Sequence, residues 1–425
     1  MRAGVLFGIV PSSLVTRQAP ADALRSGSRG ATRARRGPRG LFVFAEVALS
    51  LVLLVGAGLL LRSFARLTHV PVGFDPRGLL TVRVSLPTSS YPDADAMRRF
   101  MAAVMPRLSR APGVASAAAT MALPPAITTM APYQIGDLPT APIGDRPVGQ
   151  WSAVTPGYFA TLGIPVTSGR AIDERDAERS PLIVVVSEGL AKRAWPSVSP
   201  LGRKILVGRF AGFAKVVGVA GDVKNNGLAR EPLPAMYTPY AQRPWPAMQF
   251  AIRSAGPDPM ALASVVREAF REVDRDLPLT RMDTMDAALA DSVATERLIT
   301  ALLIAFACVA LLMAAAGVYG VIAYSVAQRT QEIGVRMALG ADAGAVLRLV
   351  VRDGLRAAAA GMIAGTAMAA AASRALRTML FDLSPADPLT YAAVLGLFAL
   401  VACAALVVPV RRALGVDPIA ALRAE

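Results

Sequence analysis

The chain has 425 residues, 54% of them hydrophobic, and carries a formal net charge of +15 at pH 7. Its mean hydropathy of +0.47 is high for a soluble protein. The charge alone would suggest nucleic-acid binding, but 41 of the 45 basic residues are arginines spread over every segment. No basic patch carries the interleaved aromatic side chains that stack on bases. The composition therefore indicates a membrane protein and argues against a nucleic-acid-binding protein.

Residues 1–40 are predicted to be a cytoplasmic tail and linker that precede the first apolar run. Arginines are scattered through this segment, so it has no apolar core for a cleavable signal peptide. The spacing of five of its residues recurs 398 positions later, near the C-terminus. The two sets are Pro11, Pro20, Ala23, Leu24 and Arg25, and Pro409, Pro418, Ala421, Leu422 and Arg423. This self-similarity predicts that the chain begins with the tail of a preceding copy of the same unit, as in the second half of a duplicated protein.

Four apolar runs are predicted to be transmembrane helices, at residues 41–61, 298–327, 357–373 and 389–410. A membrane-spanning helix needs about 20 consecutive apolar residues. The third run is the weakest, because it has only 17 residues between Arg356 and Arg374 and consists mostly of alanine and glycine. Four spans would place both chain termini on the same side of the membrane.

The orientation follows from the basic residues in the short flanks of the spans, because these are retained on the cytoplasmic side. Eight arginines precede the first run, five lie in residues 328–356 and three lie in the tail of residues 411–425. The loop of residues 374–388 carries two basic side chains balanced by two aspartates. We therefore expect both termini and residues 328–356 in the cytoplasm. The short loop and the large domain of residues 62–297 are then outside the cell inner (plasma) membrane.

Residues 62–297 are predicted to form an α+β domain. Residues 79–86 alternate apolar and polar side chains as a half-buried strand does. Asp93 or Asp95 can cap a helix that runs to about residue 110, and a second strand is predicted at residues 114–120. The same order of strand, helix and strand recurs at residues 248–282. Two such units predict a split βαβ sandwich of the ferredoxin-like kind, interrupted at about residues 125–246 by a mainly β subdomain.

No group of residues in this domain has the pattern of a catalytic or metal site. His69 is the only histidine and has no cysteine nearby, so no metal site is expected. The acidic residues Asp173, Glu174, Asp176 and Glu178 alternate with arginines, which is typical of a solvated loop rather than of paired catalytic carboxylates. None of the four lysines follows the glycines of a P-loop. We therefore expect no enzymatic activity and no cofactor in this chain, and any ATP hydrolysis in a partner.

The loop of residues 328–356 contains a predicted short amphipathic helix. Ile333 and Met337 share one face, whereas Glu332 and Arg336 form a favourable pair four residues apart on another face. Gly340 can end this helix. From the pattern alone two functions stay open. The helix could lie on the membrane surface, where its arginines meet anionic lipid head groups, or it could dock onto a cytosolic protein.

Two features inside the apolar runs predict helix contacts. Gly361 and Gly365 have the four-residue spacing that lets helix backbones approach closely, so we predict that the third span packs against a neighbour there. Glu46 lies near one end of the first run. We predict that it lies near the membrane interface, because a carboxylate deeper in a span is costly.

Several segments resemble the MacB/FtsX-type ABC transporter permeases, in particular the duplicated orphan permeases of acidobacteria. These segments are AEVALSLVLLVGAGLLLRSF at residues 45–64, GVYGVIAYSVAQRTQEIGVRMALGA at residues 317–341, SPADPLTY at residues 384–391 and VDPIAALRAE at residues 416–425. In the exterior region, YFATLGIPVTSGR at residues 158–170 resembles part of the MacB-like periplasmic core domain. The family's coupling segment is matched by Arg329, Glu332, Ile333, Gly334, Arg336, Met337, Leu339 and Gly340. Gln331 stands where many relatives have a basic residue.

The resemblance implies a permease subunit that dimerises, or pairs with a preceding permease half. Such a subunit binds a separate ATPase through the coupling segment and passes the motion of that ATPase to its periplasmic domain. The expected function is therefore efflux or mechanotransmission. Two alternatives stay open, namely an FtsX-like signalling subunit that regulates a cell-wall hydrolase and a motor-less membrane receptor for a ligand. The signalling relatives normally have a smaller exterior domain.

Overall fold

The structure is a computed structural model that describes residues 37–126, 129–139, 141–208, 212–328 and 343–414. The chain divides into two compact units. One unit is Ala65–Leu298, and the other consists of the flanking parts of the chain, up to Phe64 and from Ile299 onward.

The described elements are numbered in chain order. The helices are α1 (Gly37–Thr68), α2 (Ala94–Arg110), α3 (Tyr158–Leu162), α4 (Glu188–Ala194), α5 (Ala263–Arg271), α6 (Met285–Ser292), α7 (Ala294–Gln328), α8 (Ala343–Ala375) and α9 (Pro388–Leu414). The strands are β1 (Leu79–Ser85), β2 (Val114–Thr120), β3 (Met130–Ile135), β4 (Val148–Val154), β5 (Val166–Gly169), β6 (Ile183–Ser187), β7 (Lys204–Val207), β8 (Ala214–Ala220), β9 (Ala235–Pro239), β10 (Ala247–Ser254) and β11 (Leu279–Thr284).

Within the described residues, three helices are long and apolar enough to cross a membrane. These stretches are Leu41–Thr68 of α1, Ala294–Tyr324 of α7 and Pro388–Val408 of α9. The predicted third span also lies in a helix, α8, but α8 does not reach the same length of apolar sequence. The reason is that charged side chains at Arg356 and Arg374 limit its uncharged part to residues 357–373. The third of the four predicted spans therefore stays a prediction.

The flanking unit has its own apolar core. Side chains of α1 contact side chains of α7, α8 and α9, and the buried members include Leu51, Val318, Ala369 and Phe398. Ser50 of α1 donates a hydrogen bond to the carbonyl oxygen of Ala310 in α7 at 2.9 Å. Helix α1 is thus the element that the other three helices share.

In the α+β unit, both predicted strand, helix, strand repeats are present, as β1-α2-β2 and as β10-α5-β11. The strands of the two repeats interleave in the order β11-β1-β10-β2, and all three pairings are antiparallel. Of the two candidate caps for α2, Asp93 is the one used, because its side chain accepts a hydrogen bond from Ala96 N at 2.7 Å. The second helix begins with a 3₁₀ turn at Pro259–Leu262 before α5.

The two faces of this four-stranded sheet are covered differently. Helices α2 and α5 cover one face, where the rings of Phe250 and Phe270 meet edge to face with centroids 5.0 Å apart. Burying one such side chain contributes about 1.5–3 kcal/mol. On the other face, α3, Phe74 and Met285 pack against the strand residues that point to this face, among them Leu79. This second face is the one that bears the sites described below.

The inserted segment carries strands β3 to β9, in agreement with its predicted mainly β character. The pairings run β4-β3-β7-β8-β6-β9, and a parallel pairing of β4 with β9 closes them into a ring of six strands. The ring is joined to the first four strands at one point, where Thr120 of β2 pairs with Val154 of β4. Hydrogen bonding is therefore continuous across the predicted subdomain boundary.

Candidate functional site: helix contacts and the junctions to the α+β domain

The predicted coupling segment lies outside the described residues. This applies to Arg329, Glu332, Ile333, Gly334, Arg336, Met337, Leu339 and Gly340. Helix α7 ends at Gln328 and α8 begins at Ala343, so the segment joins two long helices.

Gly361 and Gly365 of α8 both lie against α1. A Cβ atom added to Gly361 would lie 2.9 Å from Cβ of Val47, and one added to Gly365 would lie 2.8 Å from Cα of Ala48. Real Cβ contacts are longer than this, so only glycine fits the observed distance between the two helices. The helix that packs against these glycines is α1, which the spacing of the glycines alone could not identify.

Glu46 of α1 is next to this contact. Its carboxylate atom Oε2 is buried, and no other described residue forms a hydrogen bond with it. Gly317 of α7 faces this oxygen so closely that a side chain at position 317 would occupy the same space. The Glu46 carboxylate therefore lies between helices, where the missing side chain of Gly317 leaves room for it. Its position near the membrane interface stays a prediction.

The end of α1 is tied to the loop between α8 and α9. Arg62 forms an ion pair with Asp387, and Ser63 Oγ accepts a hydrogen bond from Phe381 N at 2.7 Å. Asp387 also caps α9, because its Oδ2 accepts hydrogen bonds from the Thr390 hydroxyl and main-chain N–H at 2.6 and 2.9 Å. These bonds, the hydroxyl first, together with Arg62 hold the pKa of Asp387 below its ordinary value.

Beyond α1, the chain enters the α+β domain through residues 70–77, which we call the junction segment. Arg253 of β10 holds this segment through several main-chain carbonyls. Its guanidinium donates to the carbonyl oxygens of Arg77 at 2.7 Å and of Asp75 at 3.1 Å. The same group donates two hydrogen bonds, of 2.9 and 2.7 Å, to the carbonyl oxygen of Thr161 in α3. One side chain therefore joins the junction segment, β10 and α3.

The Asp75 carboxylate adds to this contact. It lies 3.6 Å from the Arg253 guanidinium and accepts a hydrogen bond from Arg77 Nε at 3.1 Å. Burial raises the pKa of Asp75, but the hydrogen bonds and charge of Arg77 and the charge of Arg253 outweigh it, so the pKa lies below its ordinary value. The carboxylate therefore stays ionised and paired at neutral pH.

The junction segment also contacts the end of β8. Val72 O accepts a hydrogen bond from Lys224 N at 2.9 Å. Gly73 has a left-handed φ of +81°, and a Cβ atom there would lie 2.9 Å from Cα of Val223. Glycine is required at this position for both reasons. The junction segment is therefore fixed to the four-stranded part of the sheet and to the inserted ring.

The second junction is α6, which leads out of the domain. Thr284 caps α6 by accepting a hydrogen bond from Ala287 N at 3.1 Å. Met285 at its first position is fully buried against the second face of the sheet. Val293 alone separates α6 from α7. Both chain connections of the domain therefore pass through segments that pack on the same sheet face.

The acidic loop shows one difference from the prediction. Asp176 is buried rather than solvated, because Arg170 donates hydrogen bonds of 2.8 and 2.7 Å to its two carboxylate oxygens. Asp173 is paired with Arg175 and, at 3.4 Å, also with Arg170. Hydrogen bonds from Arg175, together with the charges of both arginines, lower the pKa of Asp173 to about 2. Within the described part of the chain, no group of three or more His, Cys, Asp or Glu side chains could hold a metal ion.

Of these site residues, some could have been predicted from the sequence and others could not. Asp387 could have been found, because Asp-Pro before an apolar run is a helix-start signal. Arg253 could not, because it is one polar side chain in an alternating strand, and its partners are main-chain carbonyls far away in the sequence.

Comparison with known proteins agrees with this architecture. A family model for the MacB-like periplasmic core domain matches residues 46–302, and one for the FtsX-like permease C-terminal matches residues 304–418. The pyoverdine export ATP-binding/permease protein PvdT of Pseudomonas aeruginosa is 28% identical over 284 residues, which cover 62% of this chain and 40% of that protein. The probable syringafactin export ATP-binding/permease protein SyfD of Pseudomonas syringae pv. tomato is 30% identical over 208 residues, 45% of this chain and 29% of that protein. The chain thus spans less than half the length of these relatives.

Two solved structures are similar at low scores. The periplasmic region of MacB from Actinobacillus actinomycetemcomitans has a TM-score of 0.36 and 14% identity, covering 52% of this chain and 95% of that one. The extracellular domain of the noncanonic ABC-type transporter YknZ has a TM-score of 0.32 and 16% identity, covering 48% of this chain and all of that one. These scores are too low to carry an argument.

The apolar helices, the domain between them and the family matches define a membrane protein with an extracytoplasmic α+β domain. More particularly, the chain belongs to the MacB/FtsX-type family of ABC transporter permeases. The export permeases among its relatives do not favour the signalling and receptor alternatives.

Proposed function

We propose that this chain couples ATP hydrolysis by a separate subunit to motion of its extracytoplasmic domain, in an export machine. The family membership and the export relatives support this function. Several of those relatives are named ATP-binding/permease proteins, whereas the two family models matched in this chain describe a periplasmic core domain and a permease C-terminal region. We propose that a separate chain supplies the ATPase. The names of two relatives give syringafactin and pyoverdine as exported compounds, and we propose an exported compound as the cargo of this chain.

The observation that carries the proposal is the attachment of the domain at its two junctions. Residues 70–77 follow α1 directly and are held by Arg253, whereas α6 precedes α7 and is held by buried Met285. A displacement of either membrane helix along its axis would therefore reach the sheet through hydrogen bonds and packed side chains rather than through a slack linker. A machine that transmits motion needs this kind of connection.

The membrane arrangement is part of the proposal. It has four spans, with α8 as the third, in the cell inner membrane and with both termini in the cytoplasm. Two copies of the chain, or this chain and a preceding permease half, would pair to present two coupling segments to an ATPase dimer.

Contact with the ATPase is assigned to the coupling segment of residues 329–340. A helix that docks into a protein groove uses apolar anchors four residues apart, here Ile333 and Met337. Attraction to lipid depends instead on the summed basic charge and is indifferent to the apolar side chains. The two possible functions of this segment therefore respond to different substitutions.

The test replaces both anchors, Ile333→Ala with Met337→Ala, in the full chain. Truncating a buried anchor typically costs about 1–3 kcal/mol, so the double variant should lose co-purification of a nucleotide-binding subunit and permease-stimulated ATP hydrolysis, with normal membrane insertion. The matched control is Arg329→Gln with Arg336→Gln, which removes charge from the same segment. If the anchor variant keeps the ATPase, and the arginine variant loses function in proportion to anionic lipid content, the docking function is wrong.

A further inference from the structure

The second face of the four-stranded sheet is left open next to α6, which forms a groove of about 400 Å³. Side chains of Thr81, Arg83 and Gln249 from β1 and β10 form its floor. One wall is the loop of residues 123–126, which contributes Leu123, Pro124 and Pro125, and the other wall is α6 with Met285 and Ala288. The volume falls in the range of small-molecule sites, about 300–1,000 Å³.

Two hydrogen-bond donors stand side by side on this floor. Arg83 is opposite Gln249 in the antiparallel register of β1 and β10, so their side chains are direct neighbours on one face. The Arg83 guanidinium is exposed and forms no hydrogen bond or ion pair with another described residue. Gln249 Oε1 accepts a hydrogen bond from Leu123 N at 3.0 Å, which fixes the amide and leaves its NH₂ group as a donor.

The rim of the groove contains a β-bulge, and the arginine at this bulge pairs with the carboxylate of Asp291. The register of β1 with β11 shifts between Val82 and Arg83, so that Arg281 is the extra residue, and it has a left-handed φ of 52°. Bulges re-aim side chains and occur beside functional sites. At the bulge, Arg281 forms ion pairs with Asp283 of β11 and with Asp291 of α6. Arg281 thereby offsets part of the charge of Asp291, and Arg83 is a cation of the groove that forms no ion pair with another described residue.

We propose that this groove binds an amphipathic carboxylate. The Arg83 guanidinium and the Gln249 amide receive the carboxylate, since a cation with an adjacent donor pairs strongly with that group. The apolar chain lies between Leu123, Pro124 and Pro125 on one side and Met285 and Ala288 on the other. A cationic or uncharged amphiphile would meet the same walls without a partner for Arg83. This inference goes beyond the proposed function and does not require an ATPase.

Occupancy of the groove would be sensed by α6. Met285 and Ala288 line the groove, and α6 is followed after Val293 by α7, the second apolar helix. A ligand between α6 and the loop of residues 123–126 therefore adds contacts to one of the two junctions of the domain.

The test measures protection of the groove wall in the full chain, in nanodiscs of uncharged phosphatidylcholine, without any ATPase. Cys308 and Cys403 are replaced by alanine, and Ala288→Cys provides a thiol in the groove for a water-soluble maleimide. Octanoate should slow labelling at this position, whereas octyltrimethylammonium at the same concentration should not. Arg83→Gln should raise the half-protecting octanoate concentration about tenfold, which corresponds to the loss of one hydrogen bond to a charged group. Arg83→Glu should reverse the preference, so that octyltrimethylammonium protects.

Two controls separate a site from general effects. Ala115→Cys lies at an exposed position of β2 away from the groove and should be labelled equally with and without octanoate. Arg99→Gln removes the same charge from an exposed position of α2, which packs on the opposite face of the sheet, and should leave protection at position 288 unchanged. Equal protection by both amphiphiles, or full protection by octanoate in Arg83→Gln, would overturn the proposal. Because no ATPase is present, such a result would leave the proposed coupling function untouched.

Discussion

Single glycines set the distance between the helices of the flanking unit. Gly361 and Gly365 bring α8 onto Val47 and Ala48 of α1, and Gly317 makes room for the carboxylate of Glu46. The four-residue spacing of the α8 glycines was enough to predict a close contact. It could not identify the partner, because any helix with small or flat side chains satisfies the same pattern.

Gly365→Leu should disrupt the contact of α8 with α1. A leucine there overlaps main-chain atoms of Ala48, which cannot move aside as a side-chain tip can. Overpacking of this kind costs about 1–3 kcal/mol. We expect a lower midpoint of thermal unfolding in detergent and weaker assembly of the purified chain.

The matched control is Gly396→Leu in α9, where an added Cβ atom meets nothing within 4 Å. It introduces the same apolar surface into another membrane helix and should change the midpoint little. If both substitutions lower the midpoint equally, the effect comes from adding a leucine to any membrane helix. The α8 glycines would then have no packing function.

At the level of elements, the junction segment is held by hydrogen bonds as well as by apolar burial of Phe74. Arg253 is the centre of these bonds, and its guanidinium reaches carbonyl oxygens in the junction segment and in α3. Hydrogen bonds to a charged donor contribute about 1.5–3 kcal/mol each when they are well made. Removing the donor costs more free energy when the carbonyl oxygen stays buried than when water can replace the donor.

Arg253→Gln should loosen the junction segment without unfolding the sheet. Glutamine keeps some polarity but cannot reach three carbonyl oxygens at once. We expect a local loss of about 2 kcal/mol, or roughly thirtyfold faster amide hydrogen exchange, in residues 70–77 by mass spectrometry. Exchange in β1 and β2 should stay slow. Arg77→Gln serves as the control, because the Arg77 side chain is largely exposed and its ion pair among the described residues is with Asp75. Unchanged exchange in Arg253→Gln would show that the other contacts of the segment hold it without Arg253.

Local signals decided which elements could be predicted. The alternation in β1 and the aspartate before α2 each act over a few residues, so both ends of that strand-helix-strand repeat were placed within one or two residues. The 3₁₀ turn before α5 was missed because proline and aspartate start either kind of helix. The pairing of β4 with β9 has no local signal, since more than 80 residues separate the partners Gln150 and Ala235. The groove was not predicted either, because it depends on which strand faces α6.

For the whole molecule, the arginine distribution predicts the side of the membrane on which each part lies. A cysteine at Ser180 should react with a membrane-impermeant maleimide in right-side-out vesicles, and one at Ala343 should not, because residues 328–356 carry five arginines. Inside-out vesicles are the control and should reverse the two results. Labelling at Ala343 and not at Ser180 in right-side-out vesicles would contradict the orientation.

The closed ring of strands has a consequence for how other proteins can attach to this domain. A sheet edge with free N–H and C=O groups invites another chain to add a strand, and a ring of pairings offers no such edge. Among the described strands, the four-residue β5 pairs only with β8, and β11 is left at the end of the strand order. The bulge of β11 at Arg281 breaks the regular spacing of its main-chain groups. A permanently exposed extracytoplasmic domain is in this way protected from joining its neighbours edge to edge. We therefore expect a partner in the proposed export machine to recognise this domain by its side chains and loops.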